Sequence, residues 1–372
     1  MKVIVDRSQL FQAFQIAASV VPTRTTKPTL SNVKFDVTDQ GATLTSTDQE
    51  IGLRVMVENL EVQAAGTVLI PVHRFGSILR ESTDEKLSLE SDGERIVVKG
   101  QRSQFRLPAE NPDEFPIVAT FDEPSYFEIS SRLMKEIVRR TLFATDTESS
   151  RYALGGVLLE FEEDRLIAVG TDGRRLAKME GGIRRVGTIT DTGNMTIIPA
   201  KSMQVIDRSL TDVDADIQLA VHANDLLVRS PRVTIYSRLV EGRFPRWRDV
   251  LPQRTDATTI PLICGPLHSA VRQAAIVANE ESRGLDFTFG AGNLVLSGSA
   301  ADIGQARVEM PIAYEGEEIS VSLDHRYVGE FLRALDPEKT ISIELKDQDS
   351  AAKFETDDGY TYVVMPMARE RV

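Results

Sequence analysis

The chain has 372 residues, of which 41% are hydrophobic and 27% are charged, a composition typical of a soluble globular protein. No segment approaches the roughly 20 apolar residues that a membrane helix requires, and the first residues carry no signal-peptide pattern, so we expect a cytoplasmic protein. The single cysteine, Cys264, excludes an intrachain disulfide. A net charge of −13 argues by itself against a nucleic-acid ligand and is most simply a solubility charge.

The chain repeats itself with a period of roughly 120 to 130 residues, too long for a solenoid repeat. The matching segments are Leu44-Thr45-Ser46-Thr47-Asp48, Ala168-Val169-Gly170-Thr171-Asp172 and a fainter Leu296-Ser297-Gly298-Ser299; Ile70-Pro71, Ile198-Pro199 and Val321-Ser322; and Phe115-Pro116, Phe244-Pro245 and Met365-Pro366. Each unit is long enough to bury its own core, so we predict three domains at residues 1–121, 122–253 and 254–372.

Each predicted domain opens with a short strand and an amphipathic helix. In the first domain a strand over residues 1–6 precedes a helix from about Ser8, whose apolar residues are spaced three and four apart. The corresponding helices begin near Ser131 and Pro266. Ser8 and Ser131 are the predicted N-caps, and Pro266 suits a first helical position.

Alternating apolar and polar residues follow each helix and predict antiparallel hairpins with one buried face. A second helix is predicted over residues 74–80, 201–210 and 326–335. Two helices packed on an antiparallel sheet make each domain an α+β layer. We expect the three similar domains to stack as an arc, which closes into a ring if one end fits the other head to tail.

Apolar residues lie at the two predicted ends of the arc. They are Phe105 and Leu107 at one end and Ile276 and Val277 at the other. Strand edges left open at such ends need a pairing partner. These four residues are therefore either contacts between two copies of the chain or plain core residues, and the sequence alone does not decide between the two.

We find no catalytic or metal-binding pattern in the sequence. The four histidines, His73, His222, His268 and His325, show no metal-ligand spacing. Cys264 follows an apolar stretch and is predicted to be a buried, inert thiol. The segment around Asp172-Gly173 matches no phosphate-binding fingerprint and is interpreted as a turn. We therefore predict a protein that is not an enzyme and needs no metal or cofactor.

Two further features leave alternatives open. Basic residues recur on the predicted helices of all three domains, which indicates either a basic inner wall or the ordinary surface of exposed helices. Near the end of the chain, Tyr362-Val363-Val364-Met365-Pro366-Met367 is an apolar strand with two methionines. It is either the wall of a binding groove or the closing strand of a core, and the two roles are compatible.

Three motifs in order resemble those of one family. They are Thr171-Asp172-Gly173-Arg174-Arg175-Leu176-Ala177, Leu239-Val240-Glu241-Gly242-Arg243-Phe244-Pro245 and Tyr362-Val363-Val364-Met365-Pro366-Met367. The whole chain resembles the β subunits of bacterial DNA polymerase III, the replicative sliding clamps. This resemblance implies a homodimeric ring that encircles double-stranded DNA without sequence specificity and confers processivity on the polymerase III holoenzyme. A basic lining inside an acidic exterior removes the objection from net charge.

The resemblance also implies which residues form the sites. In this family the replicative polymerase, the clamp loader and repair proteins insert linear peptide motifs into a hydrophobic groove between domains 2 and 3. The matching groove positions are Leu154, Thr171, Gly173, Arg174, Arg175, Leu176, Pro245, Val250, Tyr327, Val363, Met365 and Met367. The DNA-facing positions are Lys27, Arg74, Arg151, Tyr152 and Lys201, with Arg24 and Arg283 added by proximity. The subunit contacts are Phe105, Leu107, Ile276 and Val277.

The chain departs from the family pattern at the rim of this groove. Arg174 stands where a histidine is common, Asp249 stands where a basic residue is familiar, and residues 368–372 extend beyond the usual ending. We expect an altered peptide preference, and we expect alanine at Met365 or Leu176 to weaken peptide binding without unfolding the chain. An alternative is a peptide-binding scaffold with the clamp fold that no longer encircles DNA. An enzyme built on the repeated domains lacks a catalytic constellation.

Overall fold

The computed structural model describes residues 1–146, 148, 152–189, 195–254, 256–278, 283–300 and 303–367. In residues 1–121 the elements are β1 (Lys2–Asp6), α1 (Arg7–Ala18), β2 (Asn32–Thr38), β3 (Gly41–Thr47), β4 (Ile51–Val57), β5 (Leu60–Ala64), β6 (Gly66–Pro71), α2 (Val72–Glu81), β7 (Lys86–Ser91), β8 (Arg95–Lys99) and β9 (Gln104–Pro108). In residues 122–253 they are β10 (Tyr126–Ser130), α3 (Ser131–Thr141), β11 (Gly156–Phe161), β12 (Arg165–Thr171), β13 (Arg175–Gly182), β14 (Arg184–Val186), β15 (Thr196–Pro199), α4 (Ala200–Ser209), β16 (Asp216–Val221), β17 (Asp225–Arg229), β18 (Val233–Arg238) and α5 (Trp247–Val250). In residues 254–367 they are β19 (Thr258–Ile263), α6 (Cys264–Ala274), β20 (Gly284–Gly290), β21 (Asn293–Ala300), β22 (Gly304–Pro311), β23 (Ile319–Asp324), α7 (His325–Arg333), β24 (Thr340–Leu345), β25 (Ala352–Glu355) and β26 (Thr361–Val364).

The predicted α+β class is confirmed. A strand followed at once by a helix opens each third of the chain, and a second strand and helix return after the first hairpins. The hairpins are antiparallel, as the alternating pattern predicts. Within the part of the chain that the structure describes, no helix is long and apolar enough to cross a membrane.

The first compact unit comprises Met1–Lys135, Ile183–Asn194 and Lys201–Leu239. Its sheets have the strand orders β5-β1-β7-β8-β9 and β14-β10-β16-β17-β18-β4-β3-β2-β6. Because β4 pairs with β18, strands from the first two predicted domains lie in one continuous sheet. In its core the rings of Phe14 on α1 and Phe75 on α2 meet edge to face with centroids 5.0 Å apart, a geometry that aromatic pairs favour.

The second compact unit comprises Glu136–Gly182, Met195–Ala200 and Val240–Val372. Its sheets have the orders β15-β11-β12-β13-β26-β25-β24-β19 and β22-β21-β20-β23. Strand β13 pairs with β26, the apolar strand near the end of the chain. On that strand Tyr362 is buried and stacks on Phe331 of α7 with ring centroids 4.9 Å apart. The apolar strand therefore closes a core, as one of its two predicted roles requires.

The predicted helix starts lie within two residues of the observed ones, but the capping residues differ. At α1 the cap is Asp6, whose carboxylate accepts the N–H of the third residue on at 2.9 Å, while Ser8 donates to that carboxylate. At α3 the hydroxyl of Ser130 rather than Ser131 accepts a first-turn N–H, at 3.2 Å. Helix α6 begins at Cys264, before Pro266. At α1 the carboxylate wins because its charge is favourable at a helix N-terminus.

The repeated Thr-Asp motif folds into the same turn in both copies. Thr47-Asp48 joins β3 to β4, and Thr171-Asp172 joins β12 to β13. In the first turn one carboxylate oxygen of Asp48 accepts two backbone N–H groups at 3.0 and 2.7 Å, and in the second Asp172 accepts two at 2.9 and 3.0 Å. Each threonine hydroxyl donates to the carbonyl four residues on, at 2.7 and 2.6 Å. The sequence repeat is therefore a repeat of local hydrogen bonding.

Candidate partner groove, DNA-facing residues and subunit contacts

The floor of the candidate groove is apolar and well packed. Leu176 on β13 and Val363 on β26 are cross-strand partners, and they are 2% and 1% exposed. They belong to a buried cluster that also contains Ala153, Leu158, Ile167, Val169, Ile197, Phe244, Trp247 and Ala351. Leu154 is also buried. Two residues after Val363, Met365 is 46% exposed, and three residues after Trp247, Val250 on α5 is 43% exposed. Exposed apolar side chains together with a buried apolar cluster are typical of a site for a hydrophobic anchor.

The turn from β12 to β13 shapes one side of this site. Thr171 is buried, and its hydroxyl oxygen accepts the N–H of Gly173 at 3.1 Å. Gly173 has φ of 87°, a left-handed conformation that favours glycine. The carbonyl of the exposed Arg174 accepts the N–H of Met365 at 2.9 Å. This hydrogen bond ties the turn to the chain just beyond β26.

Arg175 lies next to Arg174 in sequence but is 8% exposed. Its Nε donates to Asp172 at 3.0 Å, one terminal nitrogen donates to Glu330, and the other donates to the carbonyl of Phe143 at 2.6 Å. Burial disfavours the charge of Arg175, but Tyr362 and then Glu330 outweigh it, so the pKa of Arg175 lies above its usual value. All three guanidinium nitrogens are thus engaged inside the protein.

Three other matched groove residues make hydrogen bonds through their backbone groups. The ring of the half-buried Tyr327 lies under the Arg175 guanidinium, 4.3 Å from ring centroid to carbon, and its carbonyl accepts the Tyr362 hydroxyl at 3.0 Å. Pro245 is exposed and accepts the N–H of Trp247 at 2.7 Å. The N–H of Met367 donates to the carbonyl of Ser322 at 2.8 Å. All of these contacts lie within the second unit.

Trp247 is a site residue that sequence reasoning missed. It is 4% exposed, and its indole N–H donates to Glu160 at 3.1 Å. The guanidinium of Arg248 lies 4.2 Å from the indole centroid and 2.7 Å from the second oxygen of Glu160. The signal was present, because this is the only tryptophan of the chain and it follows the repeated Phe244-Pro245. Asp249, next along α5, is exposed.

The first unit contains four of the matched DNA-facing residues. Arg24, Lys27 and Arg74 are exposed and have no ion pair with any described residue. Lys201 differs, because its ammonium pairs with the carboxylate of Asp48. The first unit therefore presents three basic groups to solvent and one that is held by an acid.

The second unit contains the rest of this set. Arg283 is half-buried at φ of 56°, and its carbonyl accepts the N–H of His325 at 3.1 Å. Arg151 and the side chain of Tyr152 lie outside the described residues. The predicted extension over residues 368–372 also lies outside them.

The matched subunit contacts lie at open strand edges or near them. Phe105 is 39% exposed on β9, the last strand of its sheet, and Leu107 on the same strand is half-buried. A cavity of about 370 Å³ beside Phe105 is lined by Glu81, Ser82, Thr83, Asp84, Gln101, Arg102 and Ser103. In the second unit Ile276 is 77% exposed and Val277 is half-buried, and β22 is an edge strand. Exposure excludes Phe105 and Ile276 from the cores of their units.

The described residues contain no group of three histidine, cysteine or acidic side chains that could hold a metal ion. Cys264 is 1% exposed, and its thiol donates to the carbonyl of Leu332 at 3.3 Å. Burial raises the pKa of the thiol to about 11, so Cys264 is the inert thiol that the sequence predicts. The His222 ring lies between two carboxylates: its Nδ1 is 2.6 Å from an Asp225 oxygen, and its Nε2 is 3.3 Å from a Glu123 oxygen.

Three family models match the chain in order. They are the N-terminal domain of the DNA polymerase III beta subunit over residues 1–119, the central domain over 128–246 and the C-terminal domain over 248–368. The chain is 30% identical over 371 residues to the beta sliding clamp of Proteus mirabilis, covering 99% of this chain and 100% of that one. It is 28% identical over 372 residues to the beta sliding clamp of Escherichia coli K12, with 99% and 100% coverage.

Solved structures agree with these matches. A Pseudomonas aeruginosa sliding clamp bound to griselimycin has a TM-score of 0.91 and 28% identity, covering 99% of this chain and 100% of that chain. The Bacillus subtilis clamp has a TM-score of 0.90 with full coverage of both chains, and its 21% identity supports the fold alone. The predicted fold of three tandem clamp domains is confirmed. The chain belongs to the DNA polymerase III β subunit family, the bacterial sliding clamps.

Proposed function

We propose that this chain is a cytoplasmic DNA sliding clamp, whose homodimer encircles duplex DNA and confers processivity on the replicative polymerase. The observation that carries the proposal is the unbroken order of the three family matches from residue 1 to residue 368. The proposed domains span residues 1–121, 122–253 and 254–372. The protein is a processivity factor and performs no catalysis.

Retention on DNA is topological, so the lining needs only weak contacts to phosphates. Arg24, Lys27 and Arg74 are exposed and form no ion pair with the residues that the structure describes, so they suit such contacts, which hold the DNA backbone without reading bases. The overall charge of −13 then belongs to the outer surface, where it repels stray DNA.

Ring closure is proposed to join the end that carries Phe105 and Leu107 to the end that carries Ile276 and Val277. These two surfaces are unlike, so the contact is head to tail and closes when the rotation permits. The exposure of Phe105 and Ile276 and the open edges of β9 and β22 support this assignment, because open edges are normally covered.

Partner peptides are proposed to insert an apolar anchor over Leu176 and Val363, against the exposed side chains of Met365 and Val250. The replicative polymerase, the clamp loader and repair proteins would use this groove in turn. An apolar groove that takes a short linear peptide is a common recognition mode. Arg174 at the exposed turn is the rim residue best placed to set the charge preference of the peptide.

The decisive experiment loads the protein onto closed circular DNA and onto the same DNA after linearisation, and follows escape by gel filtration. A clamp stays on the circle and leaves the linear form through its ends. Equal escape from both would reject the clamp and leave the alternative of a peptide-binding scaffold. Native mass at micromolar concentration provides the companion test, since a closed ring requires twice 41.2 kDa.

A further inference from the structure

The ion pair between Lys201 and Asp48 spans 153 positions of sequence within the first unit. The Asp48 side chain is 12% exposed, whereas the Lys201 side chain is 53% exposed. One oxygen of Asp48 accepts the two N–H groups of its own turn, and the other faces the Lys201 ammonium. The hydrogen bonds of the turn therefore fix the position of the carboxylate independently of Lys201.

A second ion pair involves an acid two residues further along the chain. Glu50, two residues after Asp48, pairs with Arg238 at 3.3 Å, and the Arg238 N–H donates to the Glu50 carbonyl at 2.9 Å. Arg24, Lys27 and Arg74 of the same unit have no ion pair with a described residue.

In the second copy of the turn, the aspartate also binds a basic side chain through its other carboxylate oxygen. There the corresponding oxygen of Asp172 accepts the Arg175 guanidinium at 3.0 Å. Because Arg175 is buried, that pair serves the interior of the second unit. In the first unit the same device acts on a lysine that is half exposed to solvent.

We propose that Asp48 is a positioning residue that withholds the Lys201 ammonium from DNA phosphates and so keeps the sliding contact weak. The inference rests on the proposed function, in which Lys201 faces DNA. A lysine that is already neutralised by a fixed carboxylate displaces few of the counterions condensed on DNA, and the carboxylate repels the DNA phosphates. Removing the acid charge converts Lys201 into a full phosphate contact.

The expected effect follows from counterion release. Each phosphate neutralised on duplex DNA steepens the slope of log K against log salt by about 0.9. Asp48→Asn keeps an oxygen for the two N–H groups of the turn and removes the charge. We expect tighter binding at low salt, and an additional loss of about 3.5-fold in affinity between roughly 50 and 200 mM salt.

The experiment measures fluorescence anisotropy of a short fluorescein-labelled duplex of random sequence with the full chain across this salt range. The variants are Asp48→Asn, Lys201→Met, the double variant, and Asp92→Asn as a control; the exposed Asp92 also accepts the N–H groups two and three residues on, so the change in net charge is the same. Support requires a steeper slope for Asp48→Asn, no steepening by that change in the Lys201→Met background, and the wild-type slope for Asp92→Asn.

An unchanged slope for Asp48→Asn would overturn the proposal. Equal steepening in Asp92→Asn or in the double variant would also overturn it, because the effect would then be one of net charge. If Asp48→Asn melts early, Asp48→Ser repeats the test, since a serine hydroxyl accepts the same turn N–H groups. Failure of the clamp itself is a separate result, seen as equal escape of the wild-type protein from circular and linear DNA.

Discussion

Met365 offers a test of the groove that does not disturb the fold. Its side chain is 46% exposed, whereas Leu176 on the floor is 2% exposed. Burying a methionine side chain completely contributes about 1.5–3 kcal/mol, so covering the exposed part contributes roughly 0.7–1.4 kcal/mol to a peptide complex. We expect Met365→Ala to weaken peptide binding by about 3- to 10-fold.

The measurement is an anisotropy titration with a fluorescein-labelled synthetic peptide that carries the partner-binding motif of the replicative polymerase. Met56→Ala is the matched control, because Met56 is 55% exposed in the first unit, whereas the matched groove residues belong to the second. Thermal melting should be nearly unchanged for both variants. Wild-type affinity in Met365→Ala, or equal weakening by Met56→Ala, would refute the assignment of Met365 to the groove.

The same burial values revise the expectation for Leu176. Leu176→Ala leaves a cavity in a packed cluster and is expected to cost about 2–5 kcal/mol of unfolding free energy. Its effect on peptide binding would therefore be mixed with a loss of stability. The expectation that both alanine variants leave the fold intact holds on this structure for Met365 alone.

Arg175→Ala should lower the free energy of urea unfolding by about 1.5–3 kcal/mol, because its partly exposed partners Asp172 and Glu330 lose a charged hydrogen-bond donor. Arg174→Ala should change that free energy by less than about 0.5 kcal/mol, and equal effects would contradict the assigned contacts. Burial lowers the pKa of His222, but its hydrogen bond with Asp225 and the nearby carboxylates raise it above the usual 6.5. The stabilisation that protonated His222 gives the folded protein is therefore fully present below pH 6.5 and is lost as pH rises through the folded-state pKa of His222. The melting temperature of the wild type should exceed that of His222→Gln by more at about pH 5.5 than at about pH 8.5, and a pH-independent difference would refute this. Cys264 should react with a thiol reagent only after unfolding, so rapid modification of the native protein would contradict its burial.

Much of the fold could be predicted from the sequence because it depends on local patterns. Apolar spacing predicts the amphipathic helix that follows each opening strand, and alternation predicts the hairpins. The Thr-Asp turn is also local, since its hydrogen bonds join residues no more than four positions apart. The choice of helix cap was missed, because Asp6 and Ser8 are both suitable cap residues and their relative positions decide the outcome.

The sequence by itself determined the threefold repeat, the α+β class and the family motifs, because these are patterns of neighbouring residues. Only the tertiary structure decided the role of each basic side chain. Arg174 and Arg175 are adjacent and identical in type, yet Arg174 is exposed in the turn before β13, whereas Arg175, the first residue of that strand, is buried and bonds to Glu330, 155 positions away. Lys201 and Asp48 belong to two different predicted domains, whose strands β18 and β4 pair in one sheet, and they form an ion pair across 153 positions of sequence. Such partners are chosen by long-range packing, and the type of a residue does not encode which distant residue it will face.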